Sequence, residues 1–341
     1  MKYLNQLMLA AVVAGGSTAF AAAAPTTLTI GSGGEGGTYY PVVQQIADVC
    51  NSDTLVVQHR LGEDGKSIGG SDNNIRGILR NEIPGGLAQL DKAYLELQVN
   101  PDMPRVQALL PLHEEAIHVI VPAMVSVMTV EAEEGFFGTG IGSKEAVYEV
   151  QQNPLRDVAG LEGRTVVAWG GSLTTAKIVG QLGRLNLNVI SAGNEGEAIQ
   201  MIRDGQADAI IATVGYPASW IEELPKGEFK LLEVGKQLTE DVESVYGLST
   251  VSYDNLGSTG QGTETLTVDA LLFVWEYKTP EFVNALSELQ SCVRENILRF
   301  QEEPGMHPAW RRINPSREMK WENVFTPKSV KSTSAVNPAS D

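Results

Sequence analysis

Gly31, Gly33 and Gly36 stand at the spacing of a dinucleotide-binding fingerprint, inside "TLTIGSGGEGGTYYP" at residues 27–41. In a nucleotide-binding βαβ unit such glycines let the backbone approach a pyrophosphate, and an acid about 20 positions on holds the ribose hydroxyls. Here the second strand ends in Gln58-His59-Arg60, and the nearest acid, Asp53, precedes that strand. The match to an NAD site is incidental, but the glycines still let something small come close to a helix N-terminus. A second cluster, "HEEAIH", offers His113 and His118 to a zinc ion. Metalloprotease histidines lie four apart on one helical face, and these are five apart, a spacing that on a strand points to opposite faces. They read as structural, His113 near a loop and His118 on a β face. His59 and His307 are isolated, and no G-x-S-x-G hydrolase signature occurs. The sequence therefore offers no catalytic constellation, no metal site and no cofactor motif.

The glycine-rich stretch lies between a strand and a helix. Short β-branched or Leu-rich runs alternate with amphipathic helical stretches: Leu28–Ile30, Tyr39–Cys50, Leu55–His59 and Asn73–Asn81, then Thr165–Trp169, Leu173–Leu185, Val189–Ile190, Glu195–Arg203 and Ala209–Thr213. This is the βαβ rhythm of parallel sheets. Thr38 is placed to cap the first helix, with Pro41 in its permissive first turn. "RTVVAWGGSLTTAKIVGQLG" repeats the layout, with Ser172 as cap after Gly170-Gly171, and "ADAIIATVGYPASWIEEL" does so a third time through Gly215 and Pro217. All three put small residues and backbone amides where a helix begins at the C-terminal edge of a parallel sheet, the edge where open α/β sheets bind ligands. One such loop is merely a tight turn; three in one chain describe a pocket.

The N-terminus bounds where the pocket works. Lys2 precedes an apolar run from Leu7 to Val13, and small residues with A-x-A sites follow between Ala19 and Ala24. Residues 1–24 read as a secretory signal peptide, too short in its apolar run for a membrane span of ~20 residues. The mature chain would begin near Ala22 to Pro25 and work in the periplasm, where NAD is no diffusible partner. Its ~317 residues exceed one compact domain, so two lobes are expected. Removing a leader whose charged residue is Lys2 takes the formal charge from -17 to -18. So acidic a chain offers no basic patch to nucleic acid or an anionic membrane.

Residues 126–155 read as an irregular, acidic surface excursion, "NLGSTGQGTETLT" at 255–267 as the approach to a return crossing, and 326–341 as a disordered tail. The expected organisation is lobe 1 over 25–122, lobe 2 over 123–265, and a return to lobe 1 with C-terminal helices over 266–325. Bending between lobes is expected near Ile120–Ala123 and Leu271–Trp275. Cys50 and Cys292 sit in an oxidising compartment on helices assigned to lobe 1, and a bridge between them is favoured over two buried thiols. Glu35 lies among the glycines of the first loop. It either points to solvent, the favoured reading, or faces the cleft and pairs with a positive group of a zwitterionic ligand.

With these loops in order, the chain resembles the TAXI family of receptors that serve tripartite ATP-independent periplasmic (TRAP) transporters. "LTIGSGGEGGTYYPVVQQIADVC" is similar to the family's opening strand, GGxGGxYYP and helix; "LEGRTVVAWGGSLTT" and "IRDGQADAIIATVGYP" are similar to its L-x-G-x-x-V-x-x-G-x-x-G-S-x-T and DGxxDAxxxxxGxP segments. "PGGLAQLDKAY", "LPLHEEAIHVIVP" and "GMHPAW" resemble further segments, so the likeness runs from about Leu28 to Trp310. Leu90 and Pro84 depart from the family's usual Ser and Asp. The resemblance implies a type II periplasmic-binding-protein fold, two α/β lobes with a ligand cleft between them. It also implies a small organic solute, often a carboxylate, and delivery to a TRAP membrane permease. Carried over by motif, the pocket comprises Gly34, Gly36, Thr38, Tyr39 and Gln89 from lobe 1, and Ser172, Thr174, Thr175, Thr213, Gly215 and Pro217 from lobe 2. A ligand sensor of the same fold, coupled to a membrane signalling partner, is the second reading, and a periplasmic hydrolase the third.

Overall fold

The computed structural model describes residues 24–132, 144–234, 238, 245–257 and 261–327. The expected signal peptide, but for Ala24, and the tail from residue 328 lie outside the described residues. The chain opens with β1 (Thr26–Gly31), α1 (Tyr39–Cys50), β2 (Leu55–His59), α2 (Ser71–Leu79), β3 (Gly85–Gln89) and α3 (Leu90–Val99). Two long or paired elements follow: β4 (Val106–Pro122), then the ribbon of β5 (Met124–Ala132) and β6 (Lys144–Gln152). A second βα series comprises β7 (Thr165–Ala168), α4 (Ser172–Leu182), β8 (Asn188–Ser191), α5 (Glu195–Arg203), β9 (Ala209–Gly215), the short α6 (Ser219–Glu222) and β10 (Phe229–Leu231). The chain returns through β11 (Tyr246–Val251) and β12 (Thr263–Trp275) and closes with α7 (Pro280–Glu295) and α8 (Ile297–Glu302).

Hydrogen bonding arranges these strands as β2-β1-β3-β12-β4-β9-β7-β8, with β10 on β4 and β11 on β12. The order contains one pattern twice. In lobe 1 it is β2-β1-β3-β12-β4, in lobe 2 β8-β7-β9-β4-β10, and in each the antiparallel strand is one that has crossed from the other lobe. Parallel pairing of β1 with β2 and β3, and of β7 with β8 and β9, puts the C-terminal ends of both sets toward the same cleft.

The crossing lies earlier than the sequence places it. β4 is in register with β12 as far as Ala116 and with β9 from Glu115 onward. Ile120 is thus held between Ile210 and Leu231 inside lobe 2, while Leu271 to Val274 pair with Gly85 to Ala88 inside lobe 1. Both runs are strand-paired within one lobe, and the pairing passes between lobes at Glu115–Ala116 and near Thr267–Ala270. The excursion also differs from expectation. Its flanks are the antiparallel β5–β6 ribbon, in register from Met124↔Gln152 to Ala132↔Lys144, while residues 133–143 lie outside the described residues.

Burial follows the layers. Val42, Val43 and Ile46 of α1 join Leu286, Leu289 and Val293 of α7 and Trp310 in the core on the outer face of the lobe 1 sheet. A counterpart in lobe 2 gathers Ile210, Ala212, Ala198, Ile202 and Phe229. A third core runs through both lobes, from Ile75 and Ala93 to Val166, Ala176 and Val179. The lobes are therefore closed upon one another along α3 and α4. Cys50 at the end of α1 is bonded to Cys292 of α7, Sγ to Sγ at 2.07 Å, which ties two helices over the lobe 1 sheet.

Candidate functional site

Between the lobes the C-terminal strand ends line an open cavity of about 400 Å³. Lobe 1 contributes Gly34, Gly36, Thr38 and Tyr39 from the loop after β1, Gly69-Gly70-Ser71 from the loop before α2, and Gln89 at the end of β3. Lobe 2 contributes Trp169 to Ser172 after β7, Gly193 to Glu195 after β8, Thr213 and Val214 from β9, and Trp220. Glu115 enters from β4 at the handover between lobes. A larger hollow of about 860 Å³ lies under the β5–β6 ribbon, lined by Arg164, Ala207 and Asp208 at the N-terminal edges of β7 and β9. It is at the wrong end of the sheet for convergent loops and helix N-termini, so the smaller cavity is the candidate site.

Local chemistry explains how the loops hold their positions. The glycine loop lies against the turn at Gly69, where a Cβ would fall 2.1 Å from the Ser32 carbonyl oxygen, and the Gly70 amide donates to that oxygen at 2.7 Å. Only glycine lets the two backbones approach so closely. Ser32 Oγ bonds His59 Nδ1 at 3.0 Å and anchors the loop from the side. The Thr38 side chain caps nothing. Instead it is buried against lobe 2, its Oγ1 2.8 Å from where a Cβ on Gly215 would lie. Among the described residues no acceptor within the chain meets the amides of Gly36, Thr38 and Tyr39. The N-terminus of α1 therefore presents free N–H groups and its positive dipole end to the cavity.

The second glycine loop is built differently from the expectation that its amides are open. Ser172 bonds the Trp169 carbonyl, and the amides of Thr174 and Thr175 both bond that of Gly171. Ser172 begins α4 and does not cap it, and its Oγ accepts from the Thr213 amide at 2.9 Å. At α5, Asn194 caps Glu197 and Glu197 returns to the Gly193 amide, which leaves Glu195 free to reach toward Gly36.

At the floor of the cavity Glu115 accepts from Gln89 Nε2 and from His113 Nε2, the latter at 3.2 Å. His113 belongs to β4, not to a loop, because β4 runs unbroken through both lobes. Tyr39 lies edge-on to His113 with ring centroids 5.7 Å apart, and burial, reinforced by the Glu115 charge, holds its hydroxyl pKa well above the ordinary tyrosine value. Glu115 and Glu195 are the charged side chains of the lining, which contains no lysine, arginine or histidine. In a strand of seventeen residues that is otherwise largely apolar, the Glu114-Glu115 pair was the available signal, and it does not say which of the two faces the cavity. Trp169 and Trp220, edge to face at 5.6 Å, gave none.

The sequence-derived residues divide. Gly34, Gly36, Thr38, Tyr39, Gln89, Ser172 and Thr213 line the cavity together. Glu35 is exposed and outside the lining, so the acids facing the cleft are Glu115 and Glu195. Thr174 lines a neighbouring hollow of about 610 Å³ between α2, α3 and α4. Thr175 is buried in a bond to Asp91, Gly215 packs on Thr38, and Pro217 is exposed. Among the described residues no group of His, Cys, Asp and Glu could hold a metal ion, and no helix is long and apolar enough to cross a membrane.

Two crossing strands, each antiparallel in the lobe it enters and flanked as described, decide the architecture. The fold is that of type II periplasmic-binding proteins. No family model matches the chain. Among solved structures it is similar to the GluR0 ligand-binding core in complex with L-glutamate, at 11% identity over 84% of this chain and 100% of that chain, TM-score 0.44. It is also similar to ArtJ, the arginine-, lysine-, histidine-binding protein of Geobacillus stearothermophilus, at 10% identity over 83% and 96%, TM-score 0.44. The effector-binding domain of QuiR in complex with shikimate matches at 9% identity over 79% and 95%, TM-score 0.42.

Proposed function

We propose that the protein is an extracytoplasmic receptor that captures one small organic solute between its lobes and delivers it to a TRAP-type membrane permease. The observation that carries the capture step is the cleft of about 400 Å³, at which the strand ends of both lobes meet and which holds buried polar atoms of each. Its volume suits a molecule of amino-acid size. The free amides of Gly36, Thr38 and Tyr39 provide a seat for a carboxylate, Ser172 and Thr213 supply the facing lobe, and Trp169 and Trp220 shield the ligand from water. Delivery to a TRAP permease rests on the ordered motifs from Leu28 to Trp310.

Isothermal titration of the chain without residues 1–24, against amino acids and organic acids, tests capture. The expected result is one-to-one binding without turnover, accompanied by a change in tryptophan emission. Turnover of the bound compound would replace the receptor with an enzyme. Uptake into vesicles that carry a TRAP permease, driven by an ion gradient and dependent on this protein, tests delivery.

A further inference from the structure

The cavity lining is rich in hydrogen-bond acceptors and poor in positive charge. Glu115 is 5% exposed, and its two oxygens are met by uncharged Gln89 on one side and by His113 on the other. Gln89 gives its Nε2 to that carboxylate, which leaves Gln89 Oε1, on a side chain 3% exposed, without a partner. Thr213 Oγ1, on a residue 9% exposed in the opposite lobe, also has none. Apart from the His113 imidazole this buried carboxyl group has no basic side chain in contact with it, and buried acceptors without donors are disfavoured. A simple dicarboxylate would bring more acceptors and more negative charge to this floor.

We propose that Glu115, Gln89 Oε1 and Thr213 Oγ1 form the seat of a ligand ammonium group, so that the solute is an amine-bearing compound and not a plain carboxylic acid. An ammonium has three N–H donors and no acceptor, and the floor offers three acceptor groups, one of them a carboxyl group. With a carboxylate against the free amides of α1 and the ammonium on Glu115, the two ends of a zwitterion such as an α-amino acid are both answered. The inference rests on the receptor reading and deepens it. It also assigns distinct work to the lobes: Glu115 and Gln89 hold the ammonium from lobe 1 and the crossing strand, and Thr213 completes the seat when lobe 2 closes.

The test is a matched panel on the ligand-free chain: the proteinogenic amino acids, each beside the 2-oxo acid with the same side chain, with di- and tricarboxylates in a separate arm. At least one amino acid should bind one-to-one, at least a hundredfold tighter than its 2-oxo counterpart. Glu115→Gln, which is isosteric, should reduce that preference at least tenfold while the protein still melts cooperatively. Thr213→Val should weaken the amino acid more than the 2-oxo acid. Equal binding of a matched pair, an unchanged preference in Glu115→Gln, or binding confined to the carboxylate arm would overturn the ammonium seat and leave the receptor standing. Silence across every arm would overturn both.

Discussion

Thr175 Oγ1 donates to Asp91 Oδ2 at 2.9 Å, joining α4 of lobe 2 to α3 of lobe 1. Tyr246 donates to the same oxygen, also at 2.9 Å, and the Lys92 amide meets Oδ1 at 2.7 Å. Asp91 is therefore satisfied in full only while the lobes are together. Thr175→Val keeps the shape and removes one donor, which costs about 1–3 kcal/mol for a buried acceptor left short. The loss falls on the closed form, so ligand affinity should drop on the order of tenfold, as read by titration calorimetry. Undiminished affinity would mean that this bond does not hold the closed state.

Two buried groups pull stability in opposite directions with pH. Burial raises the Asp91 carboxyl above its ordinary 3.8, against the donors from Thr175, Tyr246 and Lys92. Its contribution is complete below 3.8 and is lost as pH climbs through the raised value. His118 behaves inversely, since burial lowers its imidazole from 6.5 to about 4. The Tyr253 oxygen accepts from the Ala218 amide at 3.0 Å and lies 2.9 Å from His118 Nε2, which ties the buried imidazole to lobe 2. That contribution is complete above 6.5 and is lost as pH falls through about 4, to a total of about 3 kcal/mol at 1.36 kcal/mol per pH unit. Urea unfolding between pH 7 and pH 4 should show this loss in the native chain. His118→Gln, which keeps an acceptor for Tyr253, should not show it.

The lobes were legible in the sequence because their βα units are local: each strand, glycine turn and helix lies within about thirty consecutive residues, and period and turn chemistry reveal them. The glycine loops could be placed at the cleft for the same reason. What eluded the sequence is non-local. Whether an amide is free depends on which carbonyl turns toward it, and the loop at Gly171 consumes its own amides while the loop at Gly36 does not. Glu115 stands beside Glu114 in a motif whose histidine spacing does not fit a metal pair. That one of the pair faces the cavity follows from the register of β4 with β9 and β12, which no local pattern encodes.

The Cys50–Cys292 bridge closes a loop of 242 residues that contains both crossing strands. In the chain-entropy model such a loop restricts the unfolded state by roughly 5 kcal/mol, and measured gains are often smaller. Replacing both cysteines by serine should therefore lower thermal stability by several degrees while ligand affinity changes little, because the bridge lies within lobe 1. A parallel fall in affinity would show that α1, whose N-terminus faces the cavity, depends on the bridge for its position.

Two glycines of lobe 2 make contact with lobe 1 in a way that separates closure from folding. A Cβ on Gly171 would lie 2.8 Å from Gln89 Oε1, and one on Gly215 would lie 2.8 Å from Thr38 Oγ1. In both cases the obstructed atom is a side-chain end in the opposite lobe, yet neither is free to retreat: Gln89 is bonded to Glu115, and Thr38 is buried. The relief available is a small opening of the lobes. Gly69 is the contrasting case, since its Cβ would lie 2.1 Å from the backbone oxygen of Ser32 in its own lobe, where opening the cleft relieves nothing. Gly171→Ala and Gly215→Ala should thus melt within about 1 kcal/mol of the parent when ligand-free, in the range of ordinary surface changes or slightly above, and bind ligand at least tenfold more weakly. Gly69→Ala should lose stability with or without ligand. Scanning calorimetry of the ligand-free proteins beside titration of the same samples distinguishes the two classes, and parent-like affinity in both lobe 2 variants would mean that the ligand-bound cleft is wider at these positions than the structure shows.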